Sequence, residues 1–294
     1  MLGNTVGTLS TATPTQDPFA TNGSTGVLLL GGSNRFLEPE QATTWTAGFD
    51  YNPSWLSGLE LSATYFDIDF VDRIGNAGSV LAALANPAGF EGVFIRNPTA
   101  DQIAAYLGFA NQVVGAMPVD GIEVIWDGRL VNLATQRTRG IDFNAAYTHE
   151  TAFGQLRWFA NASLLLQHER RATPAAAPLD LRDTIFNPVD LRGRAGVSWS
   201  SENWSALAAV NYVDDYRDNI STPNREIDEW VTWDARLAHT WREDGAPGLQ
   251  IALNAQNLFD EDPPFANNPI GYAFDSQNAS GIGRFVSIEL RRTW

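Results

Sequence analysis

The sequence predicts an all-β fold: an antiparallel meander of about nine or ten long strands forming part of a transmembrane β-barrel wall. Three observations carry this. Apolar and polar residues alternate along recurring segments, with the charges confined to one of the two faces. The connections between segments alternate short and long. The last segment, Gly283 to Trp294, puts Val286, Ile288 and Leu290 on one face and Ser287, Glu289 and Arg291 on the other, and ends on a bare aromatic. A terminal ring of that kind suits a membrane–water interface.

Taken in order, residues 1–35 are rich in Thr, Gly, Ser and Asn and read as a loop or a poorly ordered stretch, with a tenth strand only if Val27 to Phe36 pairs. Nine alternating segments follow. Their apolar faces are Trp45-Ala47-Phe49-Tyr51, Leu59-Leu61-Ala63-Tyr65, Ile141-Phe143-Ala145-Tyr147, Leu156-Trp158-Ala160-Ala162-Leu164-Leu166, Leu191-Gly193-Ala195-Val197-Trp199, Trp204-Ala206-Ala208-Val210-Tyr212, Val231-Trp233-Ala235-Leu237, Leu249-Ile251-Leu253-Ala255 and Val286-Ile288-Leu290. None of these positions is charged, whereas Asp142, Asn144, Arg157, Asn161, Arg192, Arg194, Asn211, Asp234, Arg236, Asn254 and Glu289 lie opposite. A charge on the lipid side at mid-membrane costs about 2–4 kcal/mol, which is what would enforce such sorting. After Tyr65 the apolar phase shifts to Phe66, Ile68 and Phe70, as a bulge or a strand leaving the bilayer would require. Short turns are expected near 52–57, 149–151, 200–203 and 242–248, and long connections near 71–131, 169–190, 217–228 and 259–282. In the first long connection Thr99 and Gln102 fit a capping box ahead of Ile103, Ala104, Tyr106 and Leu107, so a helix is expected from about Ala100 to Phe109. Tyr51, Trp55, Tyr147, Phe153, Trp158, Trp199, Trp204, Trp241 and Trp294 gather at the short-turn rim as an aromatic girdle.

Composition narrows the function classes. The net charge is −15 and every one of the 19 cationic side chains is Arg, which argues against nucleic acid as a partner. There is no Cys, hence no disulfide framework or thiolate metal site. No apolar run is long enough for a transmembrane helix, and Met1 is followed by no signal peptide, so the chain is expected to begin within a longer protein. No HExxH, P-loop or GxSxG motif is present, and His149, His168 and His239 are too far apart along the strands for a triad; no enzyme, cofactor or metal centre is expected. Asp214, Asp215 and Asp218, or Asp260, Glu261 and Asp262, read as solvated loop acids rather than calcium sites.

Five stretches give the chain its resemblance to the C-terminal barrel half of a TonB-dependent outer-membrane receptor. Leu37 to Asp50 is similar to the family's L-x-P-E-x-x-x-x-x-E-x-G strand opening, with Thr46 in place of the second Glu. Gly58 to Ile74 resembles the next strand, ending in D-x-I, and Arg139-Gly140-Ile141-Asp142 resembles its G-x-[DE] opening. Asn254 to Pro264 is similar to N-x-x-N-L-F-D-x-x-P, and Gly283-Arg284 leads to the terminal aromatic, with Arg292 a departure. The resemblance implies that residues 36–294 are the C-terminal part of a barrel of about 22 strands with a plugged lumen, and that the plug domain is absent. It implies a bacterial outer-membrane location and TonB-energised uptake of a scarce or large nutrient: a ferric siderophore, cobalamin or an oligosaccharide. The implied partners are outer-membrane lipid and lipopolysaccharide, the barrel-assembly machinery, TonB through the missing N-terminal plug region, and the substrate. Substrate contacts are expected from the extracellular loops at Tyr106, Trp126, Arg129, Arg170, Arg171, Tyr216, Arg217, Phe265 and Tyr272, and the assembly signal from Val286, Ile288, Leu290 and Trp294. The competing reading is a soluble lectin-like β-sandwich, which would show Greek-key or face-packed sheets. Taken alone the chain is expected not to transport, because two open strand edges in hydrocarbon are costly.

Overall fold

The computed structural model describes residues 5–12, 17, 24–34, 36–118, 121–221, 223–241, 248–268 and 271–292. In chain order the elements are β1 (Thr5–Ala12), β2 (Thr25–Gly32), β3 (Gln41–Tyr51), β4 (Leu59–Gly75), α1 (Val80–Ala85), β5 (Phe94–Arg96), α2 (Ala100–Phe109), β6 (Gln112–Val114), β7 (Val124–Asp127), β8 (Val131–Thr151), β9 (Gly154–Arg171), β10 (Leu179–Asp180), β11 (Leu191–Ser200), β12 (Trp204–Val213), β13 (Tyr216–Asp218), β14 (Arg225–Ile227), β15 (Trp230–Trp241), β16 (Leu249–Gln256) and β17 (Phe285–Arg292). They form two compact units: one of Met1–Thr44, Ile68–Thr138 and Gln167–Leu181, the other of Trp45–Asp67, Arg139–Leu166 and Arg182–Trp294.

All nine alternating segments are strands of one sheet. Its order is β17-β16-β15-β12-β11-β9-β8-β4-β3, with β10 paired to β9. Neighbours in the chain are neighbours in the sheet, the mark of a meander; no Greek key is present among the described strands. The β8–β9 and β11–β12 turns, of two and three residues, oblige their strands to pair directly, since so short a link cannot cross a sheet. The β11–β12 turn closes through the Ser201 N–H on the Trp204 carbonyl at 2.8 Å. The β8–β9 turn falls at Ala152–Phe153, slightly beyond the expected 149–151, because β8 runs on to Thr151. Gly154 sits there at φ 126°, where a Cβ would lie 2.3 Å from the Ser200 carbonyl, so only glycine fits. The expected turn at 242–248 falls almost wholly outside the described residues.

Register sorts the second unit into two faces. Arg194 stands opposite Asn161 and Asn211, Asn211 opposite Thr232, Arg236 opposite Asn254, and Asn254 opposite Ser287. On the other face Ala160 stands opposite Ala195 and Ala195 opposite Val210, while Ala208, Ala235, Ala255 and Val286 follow one another across four strands. The expected lipid-facing and lumen-facing sets therefore separate completely. The apolar face is also bare: Ile288 is 77%, Leu290 69% and Leu253 51% exposed, whereas Ala209 and Ala252 on the polar face are 1% exposed. An apolar face of this extent needs a partner other than water.

Two aromatic rings depart from the simple alternation, and the glycines beneath them explain why. Phe66 lies over Gly140, and Phe159 over Gly196, each ring so close that a Cβ there would clash. Phe66 is thus a covering ring over Gly140, the first of the three residues, Phe66, Ile68 and Phe70, at which the apolar phase shifts. The left-handed residue of β4 comes later, at Asp72 with φ 56°, its carbonyl accepting from Asn132 Nδ2 at 2.7 Å. The strand passes from one unit to the other at Asp67–Ile68.

The first unit corrects the reading of residues 1–35 as loop. β1 and β2 pair as an antiparallel hairpin, β6 joins β1 and β7 joins β2 in parallel, and β5 pairs β7, giving a sheet of order β5-β7-β2-β1-β6. Val27, Val124, Trp126, Phe94, Phe90 and Leu84 form its core, with the Phe90 and Trp126 rings edge to face at 5.6 Å. The side chain of Asp17 is buried, ion-paired to Arg96 at 2.8 Å and bonded by the Thr25 hydroxyl at 2.5 Å. The helix expected from the capping box is α2, with Thr99 and Gln102 making both reciprocal bonds.

The two faces predict opposite responses to charge. Leu253→Arg should lower stability in a bilayer by about 2–4 kcal/mol, whereas Asn254→Arg on the neighbouring polar position should cost far less. Denaturant titration in lipid vesicles reads the difference; equal losses would contradict the assignment of faces.

Candidate functional site

The polar face of the second unit is a network of amides, hydroxyls and balanced charges. Arg194 pairs with Asp234 and bonds the Asn211 amide; Asn211 also donates to Thr232 Oγ1 and to Asp234, both at 3.1 Å. Arg236 reaches Glu289 at 3.3 Å. At the long-loop end of this face lies an open cavity of about 580 Å³, lined by Asp142, Asn144, Asn161, Ser163, Arg192, Arg194, Asn211, Trp230 and Asn278 among others. Five strands, β8, β9, β11, β12 and β15, supply its wall and the connection after β16 supplies Asn278. Arg192 donates to Asn278 Oδ1 at 3.1 Å, while Asn278 Nδ2 donates to the Asn187 carbonyl at 2.8 Å and to Asp275 at 3.0 Å.

The connections at that end are packed rather than loose. Ile185, Val189, Val213, Tyr216, Ile227 and Ala266 form a small core of their own. Asp275 is fully buried; it accepts the N–H groups of Phe186 and Gln277 at 3.0 and 2.9 Å and so ties the 182–190 connection to the one after β16.

Of the nine loop residues expected to meet substrate, five fall in the first unit and four in the second. Tyr106 and Arg129 come together: Arg129 pairs with Asp127 at 2.7 Å and stands over the Phe109 ring at 4.6 Å, and Tyr106 packs edge to face on Phe109. Burial, then the Asp127 charge, raises the Tyr106 hydroxyl, while the hydrogen bond to Asp127 raises Arg129. Trp126 is 4% exposed in the hydrophobic core and so offers no ligand surface. Arg170 donates to the Asn76 carbonyl at 3.3 Å, its guanidinium lowered by burial and by the Arg73 charge. Arg171 beside it is exposed and lines a separate cavity with Arg137 and Glu169. In the second unit, Tyr216 is 2% exposed, its hydroxyl raised by burial and then by Asp275, so it holds the loops together. Arg217 is cross-strand to Glu226. Phe265 and Tyr272 are exposed, the former beneath the Arg225 guanidinium at 4.8 Å. Sequence reasoning placed Arg192, Arg194, Asn161 and Asn144 on the polar face but gave no sign of the cavity, since Asn278 and Trp230 join it only through the fold. Val286, Ile288 and Leu290 lie exposed on the apolar face; Trp294 is outside the described residues. Among the described residues no group of His, Asp and Glu is disposed to hold a metal.

The acids at this end respond to pH. Burial raises Asp183, opposed by the Asp190 N–H donating to it at 2.7 Å; Asp190 is raised by burial and then by Asp183 and Asp214. A carboxyl raised in the folded state holds its proton more tightly there than when unfolded. This connection therefore gains stability as pH falls toward the raised values and loses it as pH rises through them. Amide exchange of residues 183–190, corrected for intrinsic rate, should be slower near the ordinary carboxylate range, at about pH 4, than at about pH 7, and Asp214→Asn should shrink the difference. Equal protection at the two pH values would contradict the coupling.

Comparison with known proteins follows the same lines. Residues 4–258 match the TonB dependent receptor-like β-barrel family. No curated protein matches the sequence. Among solved structures, a mutant of the ferric enterobactin receptor from Pseudomonas aeruginosa is similar with a TM-score of 0.53 and 16% identity, covering 91% of this chain and 33% of that one. Another mutant of that receptor, in complex with enterobactin, gives 0.51 and 18%, covering 96% and 35%. The siderophore receptor PirA from Acinetobacter baumannii gives 0.53 and 12%, covering 91% and 34%. The chain thus spans about a third of the length of these receptors. Identities at this level speak for the fold alone, and the family match, over most of the sequence, supplies the rest: the chain belongs to the TonB-dependent receptor β-barrel family.

Proposed function

We propose that the chain forms part of the wall of a bacterial outer-membrane receptor that takes up a scarce or large nutrient with energy delivered through TonB. The observation that carries this reading is the two-faced meander, bare and apolar on one side and polar on the other, in a chain of this family. The bare face meets outer-membrane lipid, and lipopolysaccharide at the long-loop rim. The long connections lie outside the cell and the short turns in the periplasm. Val286, Ile288, Leu290 and Trp294 serve as the strand read by the barrel-assembly machinery. Engagement of TonB falls to a plug region, which none of this chain's residues resembles. The substrate classes are a ferric siderophore, cobalamin or an oligosaccharide, the first supported by the names of the ferric enterobactin and siderophore receptors that the fold is similar to. Tyr106, Arg129, Arg171, Phe265 and Tyr272 are the loop residues whose position suits substrate contact. The family consists of receptors and transporters, and we assign no catalytic step.

The sheet has two edges, β3 and β17. Unpaired edge N–H and C=O groups cost several kcal/mol each in hydrocarbon, so further strands complete the wall.

Topology is the direct test. The sequence contains no Cys, so single cysteines report cleanly. In the bacterium that makes the protein, a membrane-impermeant maleimide should label Tyr272→Cys on intact cells. It should label Glu202→Cys, in the β11–β12 turn, only after the outer membrane is permeabilised. Recovery of the chain in the soluble fraction, or equal labelling of both sites on intact cells, would contradict the reading.

A further inference from the structure

We infer that the short-turn rim of the apolar face holds a binding site for the phosphate of an anionic phospholipid of the periplasmic leaflet, with Arg292 and the Trp241 indole as its donors. The inference rests on the receptor reading, which makes this face the lipid side and this rim the periplasmic one.

Register brings the residues together. Trp204 stands opposite His239, His239 opposite Ile251 and Ile251 opposite Leu290. One row nearer the rim, Trp241 stands opposite Leu249 and Leu249 opposite Arg292. Residues directly opposite in antiparallel strands share a face, so both rows lie on the apolar side.

The aromatic part is held in place. The His239 ring stacks on Trp204 at 4.4 Å and 22° and meets Trp241 at 4.3 Å and 70°. Its Nδ1 donates to the Asn203 carbonyl at 3.2 Å, which ties the group to the β11–β12 turn. Trp204 and Trp241 are exposed, and neither indole N–H bonds a described residue. Indoles at this level of a barrel sit among lipid headgroups, where an N–H meets a polar partner.

Charge selects the headgroup. Among the described residues on the apolar face of β12, β15, β16 and β17, Arg292 is the one Arg, and no carboxylate shares that face. Its guanidinium has five N–H donors and matches a phosphate in bidentate geometry, so it can hold one while bonding a neighbour. An anionic lipid is drawn to such a rim. A zwitterionic headgroup brings an ammonium too, for which this face has no acid. Farther from the rim, Ile251, Leu253, Ile288 and Leu290 are exposed on the same face and meet the acyl chains. Arg292 is also where the chain departs from the ending it otherwise resembles, so the site belongs to this chain and is no general feature of such walls.

The test uses the receptor extracted in mild detergent from the membranes of the bacterium that makes it. Stripped of lipid, it is titrated with phosphatidylglycerol or with phosphatidylethanolamine of the same acyl chains, and native mass spectrometry follows the tightest-bound lipid. Phosphatidylglycerol should bind more tightly by roughly tenfold. Arg292→Gln should remove that preference, Arg292→Lys should keep most of it, and Trp241→Phe, which keeps a ring and loses the N–H, should weaken binding by roughly threefold. Arg291→Gln makes the same charge change on the polar face and should leave binding unchanged. Equal binding of the two lipids, no effect of Arg292→Gln, no effect of Trp241→Phe, or an equal loss in Arg291→Gln would overturn the proposal. So would displacement of the lipid by water-soluble glycerol phosphate, which would mark a site for free phosphate. The maleimide labelling at Glu202→Cys, on the same rim, separates the two readings: the expected labelling with a failed lipid test rejects this site alone, and failed labelling rejects the receptor reading.

Discussion

A strand inside hydrocarbon has no water to satisfy its N–H and C=O groups, so every strand must be hydrogen-bonded on both sides by others. That constraint fixes the architecture of this chain. It requires long strands in register, and it favours a meander because each strand finds its partner immediately after a short turn. It also assigns roles to the faces. Once the backbone is spent in the ladder, only side chains meet lipid or lumen, and they alternate. The charge-free rows Ala160–Ala195–Val210 and Ala208–Ala235–Ala255–Val286 follow from this, as does the network of Arg194, Asn211 and Asp234 on the reverse. A face with Ile288, Leu290 and Leu253 open to solvent is not a stable surface in water.

The polar face solves a different problem. It carries polar groups but must also remain ordered, and it does so by pairing them with one another and by covering thin places in the sheet. Gly196 and Gly140 leave room for the Phe159 and Phe66 rings to approach the strand backbone. Buried Asp275 and Tyr216 draw the connections beyond the strands into a packed cluster. A cavity with a fixed roof is the consequence.

The strands were legible in the sequence because the lipid–lumen contrast repeats at every second residue, and nine segments written that way are all strands of one sheet. α2 was legible because Thr99 and Gln102 form a local, self-contained signal. The small sheet of the first unit was not. β1 and β2 are built from Thr, Gly, Ser and Leu and read like a loop, and β2 pairs in parallel with β7, Val27 against Val124, a partner far along the chain that no local pattern announces. Phe66 misled for a related reason: its phase makes sense only once Gly140 is seen beneath it. The site was half legible. Asn161, Arg192 and Arg194 fell on the expected face, but Asn278 belongs to a connection whose path is set by Asp275, and Trp126, an attractive loop aromatic in the sequence, is core.

The account's central claim is that alternate residues of each strand meet lipid and water. A scan of β12 tests it where composition gives no help, since Leu207 and Ala209 are as apolar as Ala206 and Ala208. Spin labels on single cysteines at residues 205–211 of the membrane-embedded protein would be measured for collision with oxygen and with a water-soluble nickel chelate. The account predicts a period of two, with labels at Ala206, Ala208 and Val210 in lipid, those at Leu207 and Asn211 in water, and the label at the buried Ala209 screened from lipid. Accessibility that follows hydrophobicity instead of alternation, or that does not alternate at all, would contradict it.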